Sequence, residues 1–156
     1  MAEAATVVIR RARPNEGERL KEIAIASKAS WGYELGKVKA WAERGDFSPQ
    51  QLEKLVVFVV EADDREIGWV SLEPRNGRWW LADLWIDPEW IGKGIGARLF
   101  RHAATHARAH GAVELEWEAE PNAIGFYEKM GAKYLRESEP SEWGRRLSVM
   151  GVELSA

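Results

Sequence analysis

The sequence predicts an α+β fold in which helices flank a mixed β-sheet, and three observations support this class. Apolar residues recur at helical spacing in residues 14–27. Three neighbouring β-rich runs follow between Leu55 and Ile86, separated by turn residues. A long helical segment at 94–110 then precedes further strands. Because the 156 residues contain no repeats or linkers, we expect one domain over residues 1–156.

The first third of the chain predicts one strand and three helices. The strand covers the β-branched residues 6–12. Ser48 as N-cap and Pro49 in the first helical position mark the start of the third helix. The three helices are predicted at 14–27, 37–44 and 48–54.

The remaining segments predict a three-stranded meander followed by alternating helices and strands. A Pro-Arg-Asn-Gly turn at 74–77 closes the second meander strand, and Asn-Gly is a strong hairpin signal. The meander strands are predicted at 55–62, 66–73 and 78–86. After the helix at 94–110, we expect a strand at 112–118, a helix at 122–130, and strands at 132–137 and 145–153.

Composition excludes several classes of protein. The net charge of −3 argues against a general grip on nucleic acid or anionic lipid. Zero cysteines exclude a disulfide scaffold, a thiolate zinc site and a cysteine nucleophile. No apolar run approaches a membrane span, and Met1 to Thr6 lacks the shape of a signal peptide, so we expect a cytoplasmic protein. Nine tryptophans predict a packed core and a ring-lined pocket.

A glycine-rich turn between a strand and the long helix is the most informative segment. Gly92, Gly94 and Gly96 let main-chain N–H groups approach a ligand, and a helix N-terminus favours negative charge. The turn therefore predicts a phosphate cradle, although glycines at such a turn also serve tight packing alone. The spacing is neither a dinucleotide fingerprint nor a Walker loop.

Residues 91–96, Ile-Gly-Lys-Gly-Ile-Gly, resemble the Gln/Arg-x-x-Gly-x-Gly/Ala motif of the GNAT acetyl-CoA-dependent N-acetyltransferases. Residues 121–132 resemble that family's second motif, an Asn and an Ala-x-x-Phe-Tyr helix that ends in Gly. The chain departs from the family at Ile91, where Gln or Arg is usual, and at Asn122, which directly precedes Ala123. The resemblance implies the GNAT fold, with strands 4 and 5 splayed, and acetyl-CoA as cosubstrate without a metal.

The resemblance also implies the acetyl-CoA contacts. The pantetheine arm would meet the strand that ends at Ile86, and the pyrophosphate would meet the glycine turn. Lys93 would add a charge near a phosphate, with a solvated loop lysine as the alternative. The implied contact residues are Leu84, Trp85, Ile86, Ile91, Gly92, Lys93, Gly94, Ile95, Gly96, Asn122, Phe126 and Tyr127.

Acetyl transfer by direct amine attack needs a base and an acid, since the chain has no cysteine for an acyl-enzyme. By its match to the motif, Tyr127 is the candidate acid that protonates the departing thiolate; the alternative is an aromatic that only packs. Asp83, an acid within an apolar strand, is the candidate base, and an ion pair with an arginine is the equal alternative. Glu118 is the second candidate base.

Glu118 belongs to an alternating row with Glu114, Glu116 and Glu120. This row forms either a cation-attracting wall or a solvated face paired with Arg145 and Arg146, and the second reading is favoured.

Three histidines, His102, His106 and His110, repeat every four residues on the long helix. An i, i+4 histidine pair can bind metal, but no carboxylate of this helix completes a site, so we predict packing histidines and no metal.

The acceptor is expected to be a small-molecule or peptide amine. Trp31, Tyr33 and Glu34, in the loop after the first helix, are predicted to cage its ammonium group, with loop anchoring as the alternative. An alternative function is a catalytically silent acyl-CoA-binding sensor on the same fold. A nucleic-acid module is disfavoured, and a homodimer stays open.

Overall fold

Seven strands form one sheet in the order β1-β2-β3-β4-β5-β7-β6. The computed structural model describes residues 6–75 and 78–154. Two predictions fall on segments outside the described residues. They concern the signal peptide, at residues 1–5, and the Asn-Gly pair of the meander turn. The strands are β1 Val7–Arg11, β2 Val56–Ala62, β3 Arg65–Arg75, β4 Arg78–Ile86, β5 Glu114–Ala119, β6 Lys133–Glu137 and β7 Ser148–Glu153.

Five α-helices accompany the sheet in the described residues: α1 Gly17–Ala29, α2 Leu35–Glu43, α3 Pro49–Lys54, α4 Ile95–Ala109 and α5 Ile124–Lys129. Each confirms a predicted helix within a few residues. Ser48 caps α3 by accepting a hydrogen bond from the Gln51 amide, as its sequence predicts. The first predicted helix is divided, because Pro14–Glu16 forms a short 3₁₀ turn before α1 begins.

The sheet opens between its two central parallel strands. β4 and β5 pair only at Trp79 with Leu115 and at Trp80 with Glu116, so the strands separate from Leu81 onward. This separation confirms the predicted splay. A β-bulge also interrupts the β3–β4 pairing, because Ser71 pairs with Asp83 and Leu72 with Leu81, which leaves Ala82 without a partner.

The sheet carries a hydrophobic layer on each face. One layer packs α4 onto the central strands through residues such as Leu99, Phe100 and Leu72. The other packs α1 and α3 against β2 and β3, with Leu20 and Trp69 at its centre. Both layers reach β4, so this strand stands between them and its outer end remains available to the cavity described below.

Two strand boundaries differ from the prediction. The last strand begins at Ser148 rather than Arg145, because a 3₁₀ turn at Glu142–Gly144 directs Arg145 toward the α1–α2 segment instead of the sheet. β3 continues through Pro74 to Arg75, so these two residues of the predicted four-residue turn belong to the strand. Within the described residues no helix has the length and apolar character needed to span a membrane.

The α4 histidines pack against aromatic rings. His102 and His106 lie edge-on to Phe58, at centroid distances of 4.4 and 5.2 Å. His106 stacks on His110 at 4.1 Å, and burial together with the neighbouring cations lowers the pKa of His106. The packing prediction is confirmed. In the described parts of the chain no group of three or more His, Cys, Asp or Glu residues could hold a metal ion.

Candidate functional site

A cavity of about 880 Å³ occupies the space between the separated ends of β4 and β5. Its lining comes from both layers: the glycine turn before α4 and the start of α5 on one side, and the α1–α2 segment on the other. Asp83, Glu118 and Tyr127 all line it. The splay therefore brings together the three residues that the sequence predicts as acid and base candidates.

The glycine turn opens toward this cavity. Gly92 and Gly94 have φ angles of +83° and +82°, which favour glycine, and a Cβ on either would meet no atom within 4 Å. The first N–H groups of α4 have no intrahelical partner, as in any α-helix, and no side chain caps this helix. Gly96 serves packing instead, because a Cβ there would lie 3.2 Å from the Phe126 ring. The turn has the main-chain donors and the free space that an anionic group needs.

The other predicted cofactor residues divide into two groups. Leu84, Trp85, Ile86, Ile91, Asn122 and Phe126 line the cavity. Lys93 is exposed and lies over the Trp90 ring at 5.0 Å, outside the cavity lining, so the structure favours the solvated alternative. Ile95 is only 4% exposed and packs in the α4 layer, so its side chain is a core group and only its main chain is available to a ligand.

Tyr127 lines the cavity and packs among other rings. Its ring centroid is 4.8 Å from that of Trp117 and 5.2 Å from that of Phe126. Burial raises the pKa of the hydroxyl well above its ordinary value, and the charges of Asp83 and Glu120 raise it further. The phenol therefore stays protonated at neutral pH, as a proton donor requires.

Asp83 is half-buried and held by neutral groups. The Ser71 hydroxyl donates to Oδ2 over 2.7 Å, and the Trp85 indole N–H donates to Oδ1 over 3.2 Å. Burial raises the pKa of Asp83, and these two hydrogen bonds oppose the rise. No described residue forms an ion pair with Asp83, so the arginine alternative is wrong.

The row of glutamates on β5 is not a solvated face. Glu116 is buried and accepts from Arg136 over 2.8 Å and from Arg78 over 3.4 Å. Arg145 lies 3.9 Å from Glu120, as the favoured reading expects, whereas Arg146 pairs with Glu139 instead of this row. Glu118 alone combines exposure with a place on the cavity wall, and burial raises its pKa. The favoured reading is therefore wrong for Glu116, while Glu118 remains accessible to a substrate.

A lysine that the sequence interpretation omitted occupies the cavity wall. Lys28 is 1% exposed, and its ammonium group lies 2.8 Å from Glu142 Oε1 and 3.5 Å from Glu120 Oε2. Rings surround it at 4.5–5.5 Å, namely those of Tyr33, Trp41, Trp85 and Trp143. We call this arrangement the Lys28 cage. One sequence signal pointed to it: Lys28 continues the i, i+4 row of Leu20 and Ala24, which are both buried.

The predicted ammonium cage of Trp31, Tyr33 and Glu34 is not assembled. Trp31 lines the cavity, but Glu34 is exposed at the start of α2 and outside the lining. Tyr33 faces Lys28, and its hydroxyl donates to Glu120 over 2.6 Å. The Tyr33 ring, which was predicted to contact the ammonium group of the acceptor, thus contacts the ammonium group of Lys28 instead.

Glu120 joins this cage to the start of α5. Asn122 Nδ2 donates to Glu120 Oε1 over 2.7 Å, and Arg145 Nη1 donates to the Tyr33 hydroxyl over 2.9 Å. Burial opposes ionisation of Glu120, but the hydrogen bonds of Tyr33 and Asn122 and the charge of Lys28 outweigh it, so the pKa of Glu120 is lowered. Its Oε1 accepts both hydrogen bonds, whereas the buried Oε2 accepts none and lies near only the charges of Lys28 and Arg145. The lowered pKa makes Glu120 a poor candidate for a base.

Comparisons with known proteins agree with this geometry. The sequence model of the acetyltransferase (GNAT) family matches residues 20–132. The peptidyl-lysine N-acetyltransferase YjaB of Salmonella typhimurium is 34% identical over 147 residues, which covers 92% of this chain and 95% of that protein. The PaiA N-acetyltransferase of Thermoplasma acidophilum, solved with coenzyme A, aligns with a TM-score of 0.78 at 22% identity, over 95% of this chain and 99% of that one. A GCN5-related N-acetyltransferase from Rhodopseudomonas palustris aligns with a TM-score of 0.81 at 23% identity, over 98% of each chain.

Proposed function

Because the chain belongs to the acetyltransferase (GNAT) family and is an N-acetyltransferase that uses acetyl-CoA, we propose that its acceptor is the side-chain amine of a peptidyl lysine. One observation carries the assignment of the site: an open glycine turn at the start of α4 joins, through one cavity, to Tyr127 and Asp83. The name of the Salmonella relative supports the lysine acceptor.

The glycine turn and the splayed strands fit an acyl-CoA. Gly92 and Gly94 leave main-chain N–H groups beside free space, where a pyrophosphate would accept hydrogen bonds. Leu84 and Ile86 lie where β4 has left β5, so their main-chain groups on that side have no strand partner and suit the amides of a pantetheine arm. Acetyl-CoA supplies an activated acetyl thioester.

Residues of the cavity then act as the base and the acid of acetyl transfer. Asp83 accepts a proton from the acceptor ammonium, with Glu118 as the second candidate. The freed amine attacks the thioester carbon, so that a C–N bond forms and the C–S bond breaks. Tyr127 donates its proton to the departing thiolate and recovers one from solvent. Its raised pKa keeps the hydroxyl protonated at neutral pH, so the proton is in place when the thiolate forms.

A peptide assay tests the acceptor class. We expect purified protein to release CoA with a peptide that has one internal lysine and a blocked N-terminus, and not with the same peptide carrying arginine there. Since the chain has no cysteine, a thiol reagent detects CoA without background from the protein. Mass spectrometry should find the acetyl group on the lysine. Equal CoA release with the arginine peptide would contradict a lysine acceptor.

A Tyr127→Phe variant separates an enzyme from a silent sensor. It keeps the packed ring and removes the hydroxyl, so we expect turnover to fall by roughly 100-fold or more while acetyl-CoA affinity stays near that of the parent. Calorimetric titration and CoA release measure the two quantities. An unchanged turnover number would remove Tyr127 from the mechanism.

We further propose that residues 1–156 act as one domain in the cytoplasm. The charge of −3 supports an amine substrate in preference to nucleic acid or a membrane surface as partner. A homodimer stays a prediction to be tested by light scattering.

A further inference from the structure

Asp83 is held by neutral hydrogen-bond donors, whereas Glu120 and Glu142, on the same cavity wall, are held by cations. Glu120 and Glu142 each contact the Lys28 ammonium and the Arg145 guanidinium. Asp83 receives one hydroxyl and one indole hydrogen bond, one on each oxygen. A cation within about 4–6 Å typically lowers the pKa of a carboxylate by 1–3 units and so weakens it as a base. Neutral hydrogen-bond donors also orient a carboxylate, but they lower its pKa less than a cation does.

Both neutral donors are themselves fixed. Ser71 is fully buried on β3 and pairs directly with Asp83 across the bulged ladder. The Trp85 ring packs edge-on against Trp41 at 5.3 Å, and the Lys28 ammonium lies 5.5 Å from its centroid. The indole N–H therefore has one direction available, and that direction is the Asp83 carboxylate.

We propose that the Trp85 indole N–H is a positioning group for the base of the reaction. By holding Oδ1, it keeps the Asp83 carboxylate directed into the cavity and keeps its pKa from rising further. Trp85 acts through Asp83 and transfers no proton itself. The inference rests on the proposed function, in which Asp83 accepts the proton of the acceptor ammonium.

A Trp85→Phe variant tests the proposal through the pH dependence of the rate. The variant keeps a ring between Trp41 and Lys28 and loses the N–H. Because a hydrogen bond to the charged form favours that form, its loss raises the pKa of Asp83. We expect the acidic limb of the kcat/KM profile to move up by about one pH unit or less. On the plateau kcat should fall, because the carboxylate is no longer held in one direction.

Trp69→Phe is the matched control. Trp69 pairs with Trp85 across the β3–β4 ladder, and its indole N–H donates to the Leu20 carbonyl over 2.9 Å. This variant loses the same chemical group from a neighbouring buried position. It should lower the melting temperature and leave the acidic limb in place. A merely structural role of Trp85 would give this same pattern.

Carbon-13 NMR of the Asp83 carboxyl gives a reading that does not depend on activity. The Asp83 pKa should be higher in Trp85→Phe than in the parent, and equal to the parent in Trp69→Phe. An unchanged Asp83 pKa and an unmoved acidic limb in Trp85→Phe would overturn the proposal, even where Asp83→Asn is inactive. If Asp83→Asn keeps the parent rate, the base assignment of the proposed function is wrong, and the positioning role falls with it.

Discussion

Two cations, the partly buried Arg10 and the buried Lys28, each lie between two carboxylates, yet they serve different parts of the molecule. Arg10 donates through Nη1 and Nη2 to both oxygens of Glu16, over 2.9 and 2.8 Å, and through Nε and Nη2 to Glu61. This cluster joins β1, the first 3₁₀ turn and β2, and its members lie outside the cavity lining. The Lys28 cage joins α1 to the loop before β7 and forms part of the cavity wall.

The difference follows from the shape of the two cations. A planar guanidinium fills its fork with carboxylate oxygens and fixes two strands at one distance. A compact ammonium has no such fork, so much of its surface is left to aromatic faces. Two similar arrangements of charge thus have different roles. The arginine cluster holds the framework of the fold together, and the Lys28 cage forms part of the cavity wall.

The largest expected effect is at the cage. Lys28→Met leaves Glu142 and Glu120 without their buried cation, and breaking a buried pair from one side typically costs about 3–5 kcal/mol of the free energy of unfolding. Urea unfolding measures the loss. Lys37→Met is the control, since Lys37 is exposed and its ammonium lies over the same Trp143 ring at 4.3 Å. A loss of equal size in both variants would mean that the rings, and not the carboxylates, stabilise the cage.

A smaller effect is expected in the arginine cluster, and it has a pH signature. Burial opposes ionisation of Glu16, but the hydrogen bonds of Arg10 and the Arg13 amide outweigh it and lower its pKa from 4.5 to about 2. The folded state therefore gains stability above pH 4.5 that is lost as the pH falls toward 2. Glu16→Gln should cost about 2 kcal/mol at neutral pH and should flatten the stability profile in this acid range.

Thermal unfolding at several pH values measures that profile. Glu18→Gln is the control, because Glu18 is an exposed carboxylate two residues later, in the first turn of α1. A profile of the Glu16 variant parallel to that of the parent would show that Glu16 does not carry the acid dependence.

The smallest effect is expected for a variant that distinguishes the contribution of a ring from that of a hydrogen bond within the Lys28 cage. Tyr33→Phe keeps the ring beside Lys28 and removes the hydroxyl that donates to Glu120 and accepts from Arg145. We expect a loss of about 1 kcal/mol, by urea unfolding, because other charged partners of Glu120 remain. A loss as large as that of Lys28→Met would place the stability of the cage in this hydroxyl.

The sequence predicts the glycine turn because the turn depends on local order, whereas the opened sheet was implied by the resemblance to the GNAT family. Gly92 and Gly94 adopt the positive φ angles that only a glycine accepts readily, and α4 begins directly after them. The direct match of Tyr127 to a short motif likewise places it on the cavity. The glycine turn and this motif each lie within a few neighbouring residues, so a single chain is enough to find them.

The Lys28 cage could not be predicted in the same way. Lys28 and Glu142 are separated by 114 residues, and Tyr33 and Glu120 by 87. Their contact depends on how the α1–α2 segment and the loop before β7 meet across the sheet. A distant contact also explains why β7 begins later than predicted. The sequence pattern around Arg145 is that of a strand, but its side chain is held by Tyr33, far away in sequence, and by Glu142.

The unpaired residue Ala82 determines which way every later side chain of β4 faces. Leu81, Leu84 and Ile86 belong to the α4 layer, whereas Trp85 belongs to the α1 layer. In an uninterrupted strand, residues 81 and 83 would share a face, because side chains alternate with period two. The extra residue reverses this parity, so that Asp83 and Trp85 face the α1 side together. If Ala82 paired as an ordinary ladder residue, Asp83 and Trp85 would turn into the apolar layer beneath α4, and Leu84 and Ile86 would face the opposite side. The placement of the base thus depends on the bulge that takes up one residue, independent of any contact that the alanine side chain makes.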